Sequence, residues 1–552
     1  MVETGRVGTR CLVAPLVAAF ILGGALACGS QLATRNAPPP EAALAIDIHT
    51  HVWNAQDLAV AGFLDQVYFH AADIDGLRYV KRPWLMLFDF PYSHLLKVWK
   101  LPEDVFRFLG KGTQLVLSVV PVGEYLTSRT RWTYDKESVV LDKLLYQRQH
   151  LLDHPGESYE PLAGTTCRWK APALVSDLAD FVLEPSGLSV FFALQRNRDR
   201  RWCNFLALHW LYPNVDLFVA AQVDFDHWLR GNAESSIEEQ VDMLSKISIL
   251  SEGKLLPFVA YDPRRNIEEK GRALKNVQKA ILEKGFVGIK IYPPMGFRPI
   301  GNAEMDVRHF MEPREAKEIP PSRRFEFGER LDADLRALYA WAETVQVPIM
   351  AHGNESQGTR VGRKRLASPE FWARVAKEFP RLKINIGHFG GTDDLIGSRG
   401  FFGLFGKEDS KRADDIDNWA YRIISLIESL GDQGEIYTDT AMFGALVRKQ
   451  SGIKYFRALE SQLDGNPAVT RRLMYGSDWM MLAAVNQHRN YHGSLTAAYR
   501  EVFPASADRY RGANAAEFLG LHRGDANRDR LDRFYAAARV KPAWIRKVDR
   551  LH

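Results

Sequence analysis

AIDIHTHVWN, residues 45–54, is an apolar run closing in polar residues, and the way the chain leaves it decides the fold. An open, doubly wound sheet calls for a glycine-rich turn directly after its first strand. The residues here, HTHVWNAQD (49–57), contain no glycine. Seven more runs of the same kind follow: VDLFVAAQVDF (215–225), KLLPFVAYDP (254–263), GFVGIKIYPP (285–294), VPIMAHGN (347–354), LKINIGHFGG (382–391), GEIYTDTAMF (434–443) and LMYGSDWMML (473–482). Each is rich in Ile, Val, Leu or Phe, as strands buried on both faces are.

Helical patterns separate the runs. SSIEEQVDMLSKISIL (235–250) starts at serine and places Ile237, Val241, Leu244 and Ile247 on one face. IEEKGRALKNVQKAILEKG (267–285) reads as one helix ending at Gly285, and 331–345 and 371–379 behave similarly. Strand–helix alternation repeated eight times predicts an α/β chain folded as a (β/α)8 TIM barrel. The first gap is anomalous: about 160 residues lie between the first and second runs, where about 30 would do. We read about 54–214 as a long, mainly helical insertion between strands 1 and 2, placed over one end of the barrel. A separate domain there is the competing description. The barrel is expected over 45–522, with a C-terminal helical extension at 523–552, and 505–552 read as closing helices.

Composition narrows the function class. Hydrophobic residues make up 46% and charged residues 25% of the chain, as in an ordinary globular protein. A net charge of +5 on 552 residues, without a Lys/Arg block, gives no reason to expect nucleic acid as a partner. The N-terminus reads differently. Arg6 and Arg10 lead into the uncharged stretch 11–27, and Ala25-Leu26-Ala27 precede Cys28. Residues 1–28 therefore read as a bacterial signal peptide with Cys28 as candidate lipid-modified residue, and 29–44 as a Pro-rich linker. Ordinary secretion and a retained membrane anchor are the alternatives. The expected location is outside the cytoplasm of a bacterial cell, periplasmic or membrane-anchored as a lipoprotein, touching the membrane through the N-terminal lipid only. A homodimer is an option. Cys167 and Cys203 remain, and could be bonded or two free thiols.

The chemistry gathers at the ends of the runs. Residues two apart on a strand point the same way, so Asp47, His49 and His51 are expected on one face, with Ile46, Ile48, Thr50 and Val52 on the other. A His-x-His triplet alone is weak, since roughly 0.4 would arise by chance at this histidine content. His352, His388 and Asp478, however, also close apolar runs, and in a barrel all of them project toward one mouth. A lone strand-end histidine is more often a structural hydrogen-bonding residue. Four histidines and an aspartate converging at one end suit a divalent metal: zinc is expected, with iron or manganese as alternatives.

The set His49-x-His51, His352, His388 and Asp478 resembles the amidohydrolase superfamily, and within it the amidohydrolase-related branch that includes aminocarboxymuconate semialdehyde decarboxylase. DIHTH (47–51), PFVAYDP, AHG, GHFGG, YGSDW and GANAAEFLGL (512–521) carry the resemblance over about 45–522, outside the insertion. It implies one metal ion held by His49, His51, His352 and Asp478. Asp478 would also take a proton from the metal-bound water, and His388 would act as acid/base or electrophilic partner. In two-metal relatives a strand-four lysine is carbamylated and bridges the ions; here that would be Lys290, and His388 would become a ligand. Otherwise Lys290 binds substrate or is a buried, paired lysine. Arg298 and Tyr292 are candidate substrate contacts, against the plain readings of a surface arginine and a packing ring, and Trp479 is a further candidate for the wall.

The expected function is that of a metal-dependent hydrolase acting on an amide, lactone or ester of a small-molecule substrate. Non-oxidative decarboxylation at the same metal is the chemically adjacent alternative. A non-catalytic binding lipoprotein is the alternative from another class.

Overall fold

The computed structural model describes residues 43–59, 134–154, 200–311, 313–354, 356, 359, 363–396, 418–485 and 487–551. The expected leader, Cys28 and almost all of the linker lie outside these residues, as do Cys167 and most of the insertion. Leu44–His552 form one compact unit, distinct from Met1–Ala43.

All eight runs become strands: β1 Ile46–Thr50, β2 Leu217–Ala221, β3 Leu255–Ala260, β4 Gly288–Ile291, β5 Ile349–Ala351, β6 Ile384–Ile386, β7 Ile436–Asp439 and β8 Leu473–Met474. They pair in sequence order, all in parallel. Thr50 bridges Trp479, and Ile48 N donates to Tyr475 O, which brings the chain beyond β8 back to β1. The main helices are α1 Tyr134–Asp153, α2 Arg201–Leu211, α3 Ile237–Leu250, α4 Arg272–Glu283, α5 Glu326–Thr344, α6 Pro369–Glu378, α7 Trp419–Leu430, α8 Lys449–Leu463 and α9 Tyr491–Val502. From α2 to α9, one of them follows each strand, which is the (β/α)8 alternation.

Local sequence explains where these elements begin and end. Ser236 caps Glu239 N while the Glu239 carboxylate accepts from Ser236 N, a reciprocal capping box at the start of α3. Gly285, just beyond α4, has φ +74°, which a glycine adopts without steric cost. The single helix expected over 267–285 is in fact two. Pro263–Glu268 ends before Gly271, whose φ of +86° breaks the run, and Asn266 Oδ1 caps Leu274 N instead.

Side chains sort by strand face. Phe218, Val259, Ile289, Ile349, Ile384 and Ile436 face the helices and pack with Leu244, Val277, Leu335, Val375 and Ile423. Ile46, Ile48, Leu217, Leu256, Phe258, Met350, Tyr437 and Met474 face inward and meet Phe518, Leu531, Tyr535 and Trp544 from the C-terminal helices. The segment after α9 therefore plugs the floor of the barrel.

One expectation about faces fails. Asp47 pairs with Phe218, whose ring packs on Phe205 and His209 of α2, so Asp47 lies on the helix side. Ile46 and Ile48 lie inside the barrel. The register of β1 shifts between Asp47 and Thr50, and such a bulge adds one residue and re-aims those beyond it. His49 and His51 thereby face the interior without Asp47. The described parts of the insertion are helical, but α1 lies along the barrel's flank. Lys246 of α3 reaches Asp142 and Ser138 of α1 at 2.8 Å each. Cys203 is disulfide-bonded. No helix among the described residues is long and apolar enough to cross a membrane.

Candidate metal centre

Seven chemistry-bearing side chains meet at the C-terminal ends of the strands. They are His49 and His51 from β1, Lys290 from β4, His352 just past β5, His388 after β6, Asp439 ending β7 and Asp478 beyond β8. None is more than 7% exposed. Two of them stand on left-handed backbone, His388 at φ +68° and Asp478 at φ +56°. Such conformations cost ~1–3 kcal/mol each in non-glycine residues and persist where their surroundings dictate them. Here the backbone is held from β1 and β7: Asp478 N donates to His49 O at 2.7 Å, and His388 N donates to Asp439 Oδ1 at 3.0 Å.

Hydrogen bonds fix the orientation of the imidazoles. His49 Nδ1 lies 3.1 Å from Asp439 Oδ2, and His51 Nδ1 lies 2.8 Å from the carbonyl of Ala221. Both acceptors place the ring proton on Nδ1 and the lone pair on Nε2, the form a metal ligand requires. The two Nε2 atoms converge on Asp478 Oδ1, at 3.9 Å from His49 and 3.0 Å from His51. His388 Nδ1 faces the carbonyl of Ala441 at 3.1 Å, so its Nε2 accepts from His352 Nδ1 at 3.1 Å. That arrangement puts the lone pair of His352 on Nε2.

Electrostatics agree with this assignment. Burial, reinforced by the charge of Lys290, lowers His49 to about 4, so its ring is neutral at neutral pH. Burial pushes Asp478 up, but the imidazoles around it, His51 above all and then His49 and His388, outweigh it and bring the carboxyl down to about 2. Asp439 is held far below the usual carboxylate range: burial opposes this, and His49 and His388 overcome it. Burial lowers Lys290 to about 8 against the pull of Asp439 and Asp478.

Among the described residues two donor groups could hold an ion: His49, His51 and Asp478, and His49, His388 and Asp439. The first supplies three of the four ligands expected from the sequence. The fourth, His352, belongs to neither group and pairs with His388 instead. Lys290 Nζ lies 2.9 Å from His49 Nε2, at the place where a ligand of that nitrogen would come. Tyr292 stacks on His352 with ring centroids 4.3 Å apart and bonds Ser356 Oγ at 2.6 Å, so it lines the site. Trp479 is buried in the same strand-end loop as Asp478. Arg298 is not brought to the cluster. It stacks on Phe371 of α6 and pairs with Glu304 at 3.4 Å.

Asp439 is the functional residue that the sequence reading missed. It binds His49, the His388 amide and Asn385 Nδ2 (2.7 Å), and so ties β1, β6 and β7 together. Its signal was present: it closes the apolar run IYTD just as Asp478 follows MYGS.

Comparisons with known proteins bear on this centre. Residues 253–407 match a family profile described as an amidohydrolase, a span running from the residue before Lys254 past β6. Among solved structures, an uncharacterized TIM-barrel protein from Bordetella bronchiseptica is 13% identical, covering 63% of this chain and 90% of its own, with a TM-score of 0.35. An amidohydrolase from Burkholderia multivorans with bound zinc is 14% identical, covering 64% and 95%, with a TM-score of 0.35. A 5-carboxyvanillate decarboxylase from Novosphingobium aromaticivorans with bound manganese is 10% identical, covering 68% and 93%, with a TM-score of 0.34. No curated protein matches the chain. Over residues 253–407, which include PFVAYDP, AHG and GHFGG, the profile agrees with the resemblance to the amidohydrolase superfamily.

Proposed function

We propose that this amidohydrolase-like barrel is a metal-dependent hydrolase acting on an amide, lactone or ester. One observation carries the reading: His49 and His51 each have Nδ1 committed to an acceptor, and both turn Nε2 toward the ionised Asp478. His49, His51, His352 and Asp478 would hold one divalent ion, with zinc expected and iron or manganese as alternatives. Such an ion, when bound, polarises a substrate oxygen and makes water acidic enough to attack near neutral pH. Asp478, ionised above about 2, takes the proton of the attacking water at a carboxylate oxygen. His388 moves a proton at Nε2, where His352 faces it. Asp439 holds the ring of His49 and the backbone amide of His388, and the ring of Tyr292 forms a wall against His352.

Export belongs to the same proposal. It rests on the apolar stretch 11–27 before Cys28, and a disulfide at Cys203 suits an oxidising compartment. Mass spectrometry of the N-terminal peptide from membranes is expected to find an acylated Cys28, and an unmodified, retained N-terminus would reject it.

Turnover decides the reaction class. Metal-supplemented protein is assayed against panels of lactones, esters and amides, with carbon dioxide release from unsaturated and aromatic acids followed in parallel. Hydrolysis lost in Asp478→Asn supports the proposal. Carbon dioxide release without hydrolysis would replace it with a decarboxylase, and metal binding without any turnover would leave a binding protein.

A further inference from the structure

The insertion between β1 and β2 carries a buried ion network that no step above uses. Arg201 of α2 is 1% exposed, and Glu137 of α1 is fully buried. Arg201 Nε donates to Asp57 Oδ2 at 2.8 Å, and its Nη2 donates to the other oxygen, Asp57 Oδ1. Nη1 donates to Glu137 Oε2 at 2.7 Å, and Nη2 also reaches Ser235 Oγ at 3.0 Å. Glu137 Oε1 accepts from Trp202 N at 3.2 Å. Both carboxylates thus depend on one guanidinium. A buried pair contributes little net stability, but loss of one partner is costly, which is why such networks serve to specify a geometry.

That geometry leads to the metal centre. Asp57 Oδ2 also accepts from Asn54 N at 3.1 Å and so fixes the turn that follows β1. Asn204, one turn along α2 from Arg201, donates Nδ2 to Trp53 O at 2.8 Å. The ring of Trp53 stacks on His51, with centroids 4.2 Å apart and planes 25° apart. A small cavity lies behind Trp53, lined also by Val52, Asp57, Arg201, Gln222 and Leu244. Asn204 fixes the Trp53 carbonyl, and Arg201, through Asp57, fixes the turn beside that space. The bond from His51 Nδ1 to Ala221 O sets which nitrogen is exposed, and the stacked indole sets the ring plane.

We propose that Arg201 and Asn204 are positioning residues: through Asp57 and Trp53 they hold the ring of His51 in its ligating orientation, so the insertion is a working part of the site. This rests on the reading of His51 as a ligand. Residues that orient a ligand typically change metal affinity ten- to a hundredfold when removed.

The test uses the full chain with Asn204→Ala and Arg201→Met. Arg201→Met leaves two carboxylates facing each other, and Asn204→Ala carries the test if that variant does not fold. Zinc affinity is read by competition with a chelator. In the metal-free protein, diethyl pyrocarbonate modification of His51 is read by peptide mass spectrometry, with buried His492 of α9 as internal control. We expect zinc to bind at least tenfold more weakly and His51 to be modified several-fold faster, with His492 unchanged. Equal acceleration of both histidines would mean general loosening and overturn the proposal, as would unchanged His51 reactivity or unchanged zinc affinity. If the unaltered protein itself binds no zinc, the proposed function fails, while the His51 to His492 ratio still decides this inference.

Discussion

The two ends of the barrel are built on opposite terms. At the floor, the tip of the Phe258 ring closes on Gly288, where an added Cβ would meet it at 2.2 Å. Around it Ile46, Leu217, Leu256 and Met474 close on Phe518 and Leu531. These contacts are apolar, and burial there stabilises the fold directly. At the mouth, seven titratable side chains are buried within one hydrogen-bonded cluster, and two of them sit on strained backbone. Burying such groups costs stability unless each is paired. The floor therefore sustains a mouth organised for chemistry.

That contrast can be broken from the floor first. Phe258→Ala empties the middle of the plug and is expected to lower stability by ~3–5 kcal/mol in denaturant titration, with metal affinity per folded molecule nearly unchanged. A lost metal site in the folded variant would show that the two ends are not separable. Asp439→Asn works at the mouth. It keeps the shape while weakening the hold on His49 and His388, and metal affinity should fall about ten- to a hundredfold with little change in unfolding midpoint. An unchanged affinity would demote Asp439 to a packing residue.

A smaller effect sharpens the same comparison. Asp262, after β3, accepts from Trp228 Nε1 and Arg265 N. Burial above all, and then the neighbouring charge of Asp224, raises it to about 7. A carboxyl raised in the folded state contributes stability that is complete below its unfolded pKa near 4 and is lost as pH rises through about 7. Metal-free protein should therefore lose stability across that window by at most about 1.4 kcal/mol per pH unit from this group. Asp262→Asn should flatten the slope. Parallel slopes in the two proteins would exclude Asp262 as the source.

How much of this was legible in the sequence follows from periodicity. All eight strands could be read, because parallel strands buried on both faces are continuous apolar runs. His49, His51, His352, His388 and Asp478 could be read because each closes such a run. The side on which Asp47 falls could not, since strict alternation holds only until a bulge adds a residue, and nothing in DIHTH announces one. Asp439 closes its run in the same way, but it lies outside every stretch that carries the family resemblance. Arg298 was drawn toward the site by its nearness to β4 in sequence, yet the chain turns away there and the guanidinium finds Phe371 and Glu304. The break at Gly271 is local, a positive φ and the Asn266 cap that helical periodicity does not reveal, whereas the flank position of α1 depends on contacts between distant segments.

The most direct measurement is metal content per chain by elemental analysis, on protein beginning at Gly29, beside a His49→Ala, His51→Ala double variant. About one zinc, iron or manganese per chain, lost in the variant, is the result expected for a centre of His49, His51, His352 and Asp478. About two would enlist Lys290 and His388 as ligands of a second ion. No metal after supplementation, or equal metal in the variant, would contradict the account.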